Sequence, residues 1–250
     1  MCIIAIKNKQ VSYPSYNRVK TMCENNPDGF ALVWQAKDEP VHNYRTLNQG
    51  KFLKKYKWLT STYKSTDVAF FLHARIKTHG SEKLDNCHGW IEDSIGLAFA
   101  HNGILSIANR GDMTDSETFF RDIFTPVFKI GGWDAGELVI KAIIGTSKFC
   151  FMDMHGNLIH YGNYIQGDDG VLYSNDTYKE STWRKYYNDY CKNYGDYGKY
   201  YGRYGSGYKS SGYNSYSVKE KETPILPSHE SNDFDDWYNS EEYWSGRNPF

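Results

Sequence analysis

The sequence predicts an α+β protein with clustered strands and clustered helices, followed by a tail that lacks a core. Three observations carry this. Short apolar, β-branched runs recur through the first 180 residues, as at Ile3–Ile6, Phe30–Trp34 and Val68–Ala74. Segments with helical spacing fall between groups of such runs rather than after each one, which argues for layers rather than a βαβ wind. After about Trp183, aliphatic residues vanish until Val218, while eleven tyrosines fall between Tyr186 and Tyr216 among Gly, Ser, Asn and Lys.

The elements follow in order. Cys2–Ile6 reads as a buried strand. Pro14 suits a first helical turn, and Tyr16, Val19, Met22 and Cys23 continue that helix to about Asn25. Asn26-Pro27-Asp28-Gly29 is turn chemistry, and Phe30–Trp34 is the second strand. A weaker strand covers Val41–Leu47. Phe52, Leu53, Tyr56 and Leu59 mark an amphipathic helix. Val68–Arg75 and Leu97–His101 are buried strands that end on polar groups. Thr114 caps a helix with Glu117 three residues on, continued by Phe119, Phe120, Ile123 and Phe124. Leu138–Ile144 is the apolar part of a further helix stopped by Gly145. Lys148–Met154 and Leu158–Tyr161 form a hairpin, and Val171–Ser174 is the last short strand.

Composition narrows the classes. The 250 residues carry a formal net charge of −1, so no global field points to a polyanionic partner. The cysteines at 2, 23, 87, 150 and 191 are odd in number and form no CxxC pair. That fits a reducing compartment and disfavours a disulfide framework or a zinc knuckle. The N-terminus lacks the charged and apolar regions of a secretory signal, and no run is long enough to span a bilayer. The expectation is a cytoplasmic protein of two parts: a folded domain over residues 2–182 and a largely disordered tail over 183–250, Tyr/Gly-rich and then acidic-aromatic. Self-association or solvation of the tail is favoured over nucleic-acid stacking, because Lys and Arg are sparse there.

Four polar clusters sit at strand ends or a helix start: Cys2; His73, Arg75, Thr78 and His79; Asn102-Gly103; and Asp115. Each has a plain reading. Cys2 is a core cysteine, Arg75 a surface arginine, Asn102-Gly103 a turn and Asp115 a favourable charge at a helix start. Together they describe another chemistry. Once Met1 is removed, Cys2 carries a thiol and a free α-amino group of pKa ~7.7–8.0, which is a usable base near neutral pH. An Asn amide beside a Gly N–H supplies two donors for an oxyanion. Arg75 grips a carboxylate, and Asp115 pairs with an ammonium. The set suits an amide that bears an α-amino acid head. The histidines at 73, 79, 88 and 101 match no zinc spacing, so no metal or other cofactor is expected.

These segments, in order, resemble the class II glutamine amidotransferase domain of the N-terminal-nucleophile hydrolases: Cys2 behind Met1, Asn26–Ala31, His73-Ala74-Arg75-Ile76-Lys77-Thr78-His79-Gly80, His101-Asn102-Gly103-Ile104, and Thr114-Asp115-Ser116-Glu117. The resemblance covers about Cys2 to Tyr178. It implies a four-layer αββα sandwich with Cys2 at the end of an inner strand. It also implies hydrolysis of the glutamine side-chain amide through a γ-glutamyl thioester, with ammonia passed to a separate synthetase, since the tail cannot fold into one. Carried over motif by motif, Cys2 is nucleophile and base, and Asn102 and Gly103 form the oxyanion hole. Arg75 binds the substrate carboxylate with Thr78 and His79 beside it, and Asp115 binds the ammonium. His73 and His101 are structural.

The chain departs from the family at Ile76-Lys77, where a Trp or similar residue is usual, and at Ile3, where Gly is usual. A β-branched side chain at position 3 is expected to crowd the pocket mouth or alter the backbone approach. Short stand-alone members with such tails look like those of large bacteriophages, which would place the protein in a host cytoplasm. The alternatives are a stand-alone amidohydrolase acting on γ-glutamyl compounds, and an inactive scaffold that works through its tail.

Overall fold

The computed structural model describes residues 2–37, 39–76, 83–108, 110–111, 113–180. Thr78, His79, the boundary at 182/183 and the whole tail lie outside the described residues.

Strands β1 (Ile3–Lys7), β2 (Phe30–Ala36), β3 (His42–Thr46), β4 (Val68–Ala74), β9 (Ile165–Gln166) and β10 (Leu172–Tyr173) form one sheet, in the order β3-β2-β4-β1-β10-β9. Strands β5 (Trp90–Glu92), β6 (Leu97–Asn102), β7 (Lys148–Asp153) and β8 (Leu158–Tyr161) form a second, in sequential order. Every pairing is antiparallel. Helices α1 (Tyr16–Asn25) and α2 (Gln49–Thr62) cover the first sheet. Helix α3 (Asp115–Thr118), a π-helical stretch (Phe119–Phe124) and α4 (Thr125–Ile143) cover the second.

Side-chain alternation along the strands builds the layers. In β1, Ile3 and Ala5 pack with Val19, Met22, Phe52 and Leu59 on the helix side, while Ile4 and Ile6 face the other sheet. Across that interface stand Ala98, Ala100, Cys150 and Met152. The outer face of the second sheet is aromatic: Phe99, Phe149 and Phe151 stack with Phe119, Phe120 and Phe124, as in the 4.8 Å contact of Phe119 with Phe149. Three apolar layers between four structural layers make an αββα sandwich, as the resemblance implies.

The boundaries agree closely with the sequence reading, with three differences. The expected helix at Thr114 and the later one at Leu138–Ile144 are joined by the π-helical stretch, and the break between them is Gly132, at φ 57°. Strands β5 and β9, of three and two residues, carry too little periodicity to read. The first strand starts at Ile3, so Cys2 stands just ahead of it. At the other end of β1, the ammonium of fully buried Lys7 donates to the carbonyls of Asn8, Ser65 and Val68. Burial lowers its pKa to about 8. No helix among the described residues is long and apolar enough to cross a membrane.

Candidate active site

Cys2 is half-buried, one residue before the strand at the centre of the larger sheet. Its thiol donates to the Ile76 carbonyl at 3.6 Å. Burial pushes the thiol above its ordinary range, and the Ile76 backbone and the Arg75 guanidinium act against that shift. The thiol form therefore prevails unless a base removes the proton.

Register brings Arg75 to Cys2. Strands β1 and β4 pair from Lys7 with Phe70 to Ile3 with Ala74. One further antiparallel step sets Cys2 opposite Arg75. The arginine's backbone is held on its other side, where its N–H donates to the Gly29 carbonyl at 2.8 Å and its carbonyl accepts from Asp28 N–H at 2.9 Å. The Asn-Pro-Asp-Gly turn thus extends the sheet past the end of β4 and fixes where Arg75 begins. Arg75 is 5% exposed.

Ile3 does not crowd this end. It is fully buried on the helix side of the sheet, against residues of α1 and α2. The expectation of a β-branched side chain at the pocket mouth is corrected by strand parity: position 3 points away from the sheet interface that position 4 faces.

Asn102 ends β6, on the face that Ala98 and Ala100 turn to the first sheet. Its Nδ2 lies 2.8 Å from Ser174 Oγ, and Ser174 Oγ accepts from Ile4 N–H at 2.8 Å. The Ser174 N–H in turn donates to the Ile4 carbonyl at 2.9 Å. Two hydrogen bonds therefore connect Asn102 to the strand that follows Cys2. With Nδ2 on Ser174, Asn102 Oδ1 is buried without a partner. A buried unsatisfied acceptor costs about 1–3 kcal/mol.

Gly103 follows at φ 147°, where an added Cβ would meet the Ser147 side chain and stand 2.9 Å from Ser147 Cα. Only glycine combines that backbone with that approach. Among the described residues, the Gly103 N–H has no acceptor.

Asp115 opens α3. Its Oδ2 accepts from Leu105 N–H at 2.7 Å, and its Oδ1 accepts from Ser116 N–H at 2.8 Å and Ser116 Oγ at 3.2 Å. The carboxylate therefore fastens the loop after Gly103 to the helix, using three of about four acceptor positions. Thr114 Oγ1 accepts from Glu117 N–H at 3.3 Å, the cap read from the sequence.

Three buried histidines line up behind these residues. His73 stacks on His88 with centroids 4.1 Å apart, and His88 is 6.1 Å from His101. His88 Nδ1 accepts from His101 N–H at 3.1 Å, and His101 Nδ1 lies 2.7 Å from Ser116 Oγ. Burial holds His73 and His88 well below the usual imidazole range and lowers His101 to about 3. All three are neutral, and both ring nitrogens of His73 lack a partner among the described residues. No group of three or more His, Cys, Asp or Glu among the described residues is set to hold a metal ion.

Sequence reasoning missed Ser174 and Asn175. Asn175 Nδ2 donates to the Cys2 carbonyl at 2.6 Å, while its Oδ1 accepts from Thr177 N–H and Oγ1. Ser174 and Asn175 directly follow β10, a strand that runs into polar groups, the same signal that singled out Arg75 and Asn102.

The described residues thus form a four-layer αββα sandwich whose central strand begins just after a cysteine. The chain is similar to the glutamine phosphoribosylpyrophosphate amidotransferase of B. subtilis, at 15% identity over 70% of this chain and 42% of that one, TM-score 0.43. It is similar to an allosteric regulatory enzyme of purine biosynthesis, at 17% identity over 70% of this chain and 42% of that one, TM-score 0.47. A glutamine aminotransferase class-II domain protein from Silicibacter pomeroyi is 17% identical over 69% of this chain and 87% of that one, TM-score 0.39. The chain thus spans 42% of the length of the first two. No family model and no curated protein matches it. At such identities the role of each site residue rests on its own geometry.

Proposed function

We propose that residues 2–182 form a class II glutamine amidotransferase domain that hydrolyses the side-chain amide of glutamine. The observation that carries this is the convergence of Cys2, Arg75 and Asn102 at one end of two facing sheets. Cys2 stands one register step from Arg75 and is tied to Asn102 through Ile4 and Ser174.

The chemistry follows from those positions. With Met1 removed, the Cys2 α-amine takes the thiol proton, which the burial-raised thiol does not release unaided. The thiolate attacks the carboxamide carbon. The negative charge that develops on its oxygen is met by the Asn102 amide and the Gly103 N–H. Collapse of the tetrahedral species expels ammonia, which leaves with the proton held by the amine. Water then cleaves the γ-glutamyl thioester to glutamate and free Cys2. Arg75 binds the α-carboxylate, and Asp115 offers its remaining lone pair to the α-ammonium. Thr78 and His79 complete the carboxylate side. Ammonia passes to an acceptor site on a separate synthetase.

The test is incubation of the full chain with glutamine, following glutamate release and intact mass together. The expected result is loss of Met1, glutamate production, and no production in Cys2→Ala. Turnover that rises when a synthetase is added marks an amidotransferase, and full turnover alone marks a stand-alone amidohydrolase. A mature chain that keeps Met1 and leaves glutamine intact overturns both.

A further inference from the structure

The Asn102 amide sits against Ser174 in a way that has two solutions, and they differ in what the site can do. Ser174 has one hydroxyl proton to give and two lone pairs to offer. With Asn102 Nδ2 donating to it, Ser174 Oγ accepts twice, from Asn102 and from Ile4 N–H. Its own proton then has no acceptor among the described residues, and Asn102 Oδ1 is buried and orphaned. Half a turn of the amide exchanges the two atoms at the same 2.8 Å separation. Ser174 O–H then donates to Asn102 Oδ1 and accepts only from Ile4 N–H, so both polar groups facing each other are satisfied. The unpartnered buried atom becomes Nδ2, a donor.

We propose that Ser174 is a positioning residue that holds the Asn102 amide with its oxygen turned inward and its NH₂ presented to the substrate. An orphaned acceptor would repel a developing oxyanion, whereas a free donor stabilises it. The hydroxyl proton favours the second, because only there does it find an acceptor among the described residues while the Ile4 N–H bond is kept. That N–H occupies one Ser174 lone pair and so turns the hydroxyl proton away from itself and toward Asn102. Because Ile4 is two residues from Cys2, the strand that carries the nucleophile also orients the oxyanion donor. The inference rests on the proposed glutaminase reading for its catalytic consequence, though not for its geometry.

The experiment has two arms, both on the full chain. The first compares wild type, Ser174→Ala and Ser174→Thr for glutamine hydrolysis and for alkylation of Cys2 by iodoacetamide, a displacement at a saturated carbon that forms no oxyanion. Ser174→Ala should lower kcat about 10- to 100-fold, less than the ~10²–10³ that outright loss of an oxyanion donor costs, because the donor itself remains. KM should stay within about twofold and alkylation at the wild-type rate, since neither needs the oxyanion donor. Ser174→Thr, which keeps the hydroxyl, should restore most of the kcat. Unchanged kcat in Ser174→Ala overturns the proposal. So does a parallel fall of kcat and alkylation that threonine does not rescue.

The second arm is neutron diffraction from deuterium-exchanged wild-type crystals, which tells amide nitrogen from oxygen. A Ser174 O–D directed at Asn102 Oδ1 supports the proposal, and an Asn102 N–D directed at Ser174 overturns it. If the wild type leaves glutamine intact, the glutaminase reading fails and this arm alone decides the orientation.

Discussion

Asn175 donates from Nδ2 to the Cys2 carbonyl at 2.6 Å, joining residues 173 positions apart in the chain. The same asparagine is braced through Oδ1 by Thr177, whose carbonyl accepts from Asn25 Nδ2 at the end of α1. The start of the chain is therefore held by a segment synthesised long after it. The Cys2 backbone takes its position only once that late segment is in place.

Replacing Asn175 with alanine should leave the Cys2 carbonyl and the Thr177 donors without their partner. The expected cost is about 1–3 kcal/mol of stability, read as a lower urea midpoint. Glutamate release should fall further than the stability loss alone explains, because Cys2 is no longer fixed. Full activity in Asn175→Ala would show that the clamp does not position Cys2.

Gly103→Ala should abolish glutamine hydrolysis and destabilise the fold. Two strains combine here: an alanine at φ 147° and a Cβ against Ser147. The backbone strain alone is of order 1–3 kcal/mol. Adding Ser147→Gly relieves the contact but not the backbone, so the double variant should regain part of the thermal stability and little of the activity.

Ile3→Ala should cost about 2–5 kcal/mol, the usual range for emptying a core site of this size. The KM for glutamine should not change, since Ile3 packs on the helix side. A lowered KM or raised kcat in this variant would mean that Ile3 does reach the pocket.

Stability should fall on acidification below about pH 6.5, the ordinary imidazole value. His73, His88 and His101 are held neutral by burial, with the nearby positive charges of Arg75 and Lys148 acting in the same direction. Their folded pKa values lie below the unfolded ones. The unfolded chain therefore binds more protons, and stability drops as pH falls from about 6.5 toward the folded values, about 3 for His101. Each unit of separation is worth about 1.4 kcal/mol per histidine. Urea unfolding at pH 7 and pH 5 measures this, and equal midpoints would refute it.

Much of the fold was legible because the strands state their burial. Phe30–Trp34 and Val68–Ala74 are apolar on both faces, as strands between two layers must be. The 3.6 period of Phe52, Leu53, Tyr56 and Leu59 marks α2. Strand β9, at two residues, offers no period to detect, and the π-helical stretch looks like any aromatic helix until its hydrogen bonds are seen. At the candidate site, the residue types at Cys2, Arg75, Asn102-Gly103 and Asp115 were readable as strand-end and helix-start polar groups. Their partners were not.

The sequence by itself determined the α+β class, most element boundaries and the short list of polar groups able to do amide chemistry, because these depend on local period and residue type. Only the tertiary structure decided that Cys2 lies opposite Arg75, since register belongs to a pair of strands and neither strand states it alone. It also packed Ile3 on the helix side of the sheet and bound Asp115 to the loop after Gly103. And it brought Ser174 and Asn175, which follow the last described strand, onto Asn102 and Cys2. Hydrogen bonds between residues 72 and 173 positions apart leave no mark on local sequence. They arise when the chain closes, and here they set the geometry around the cysteine.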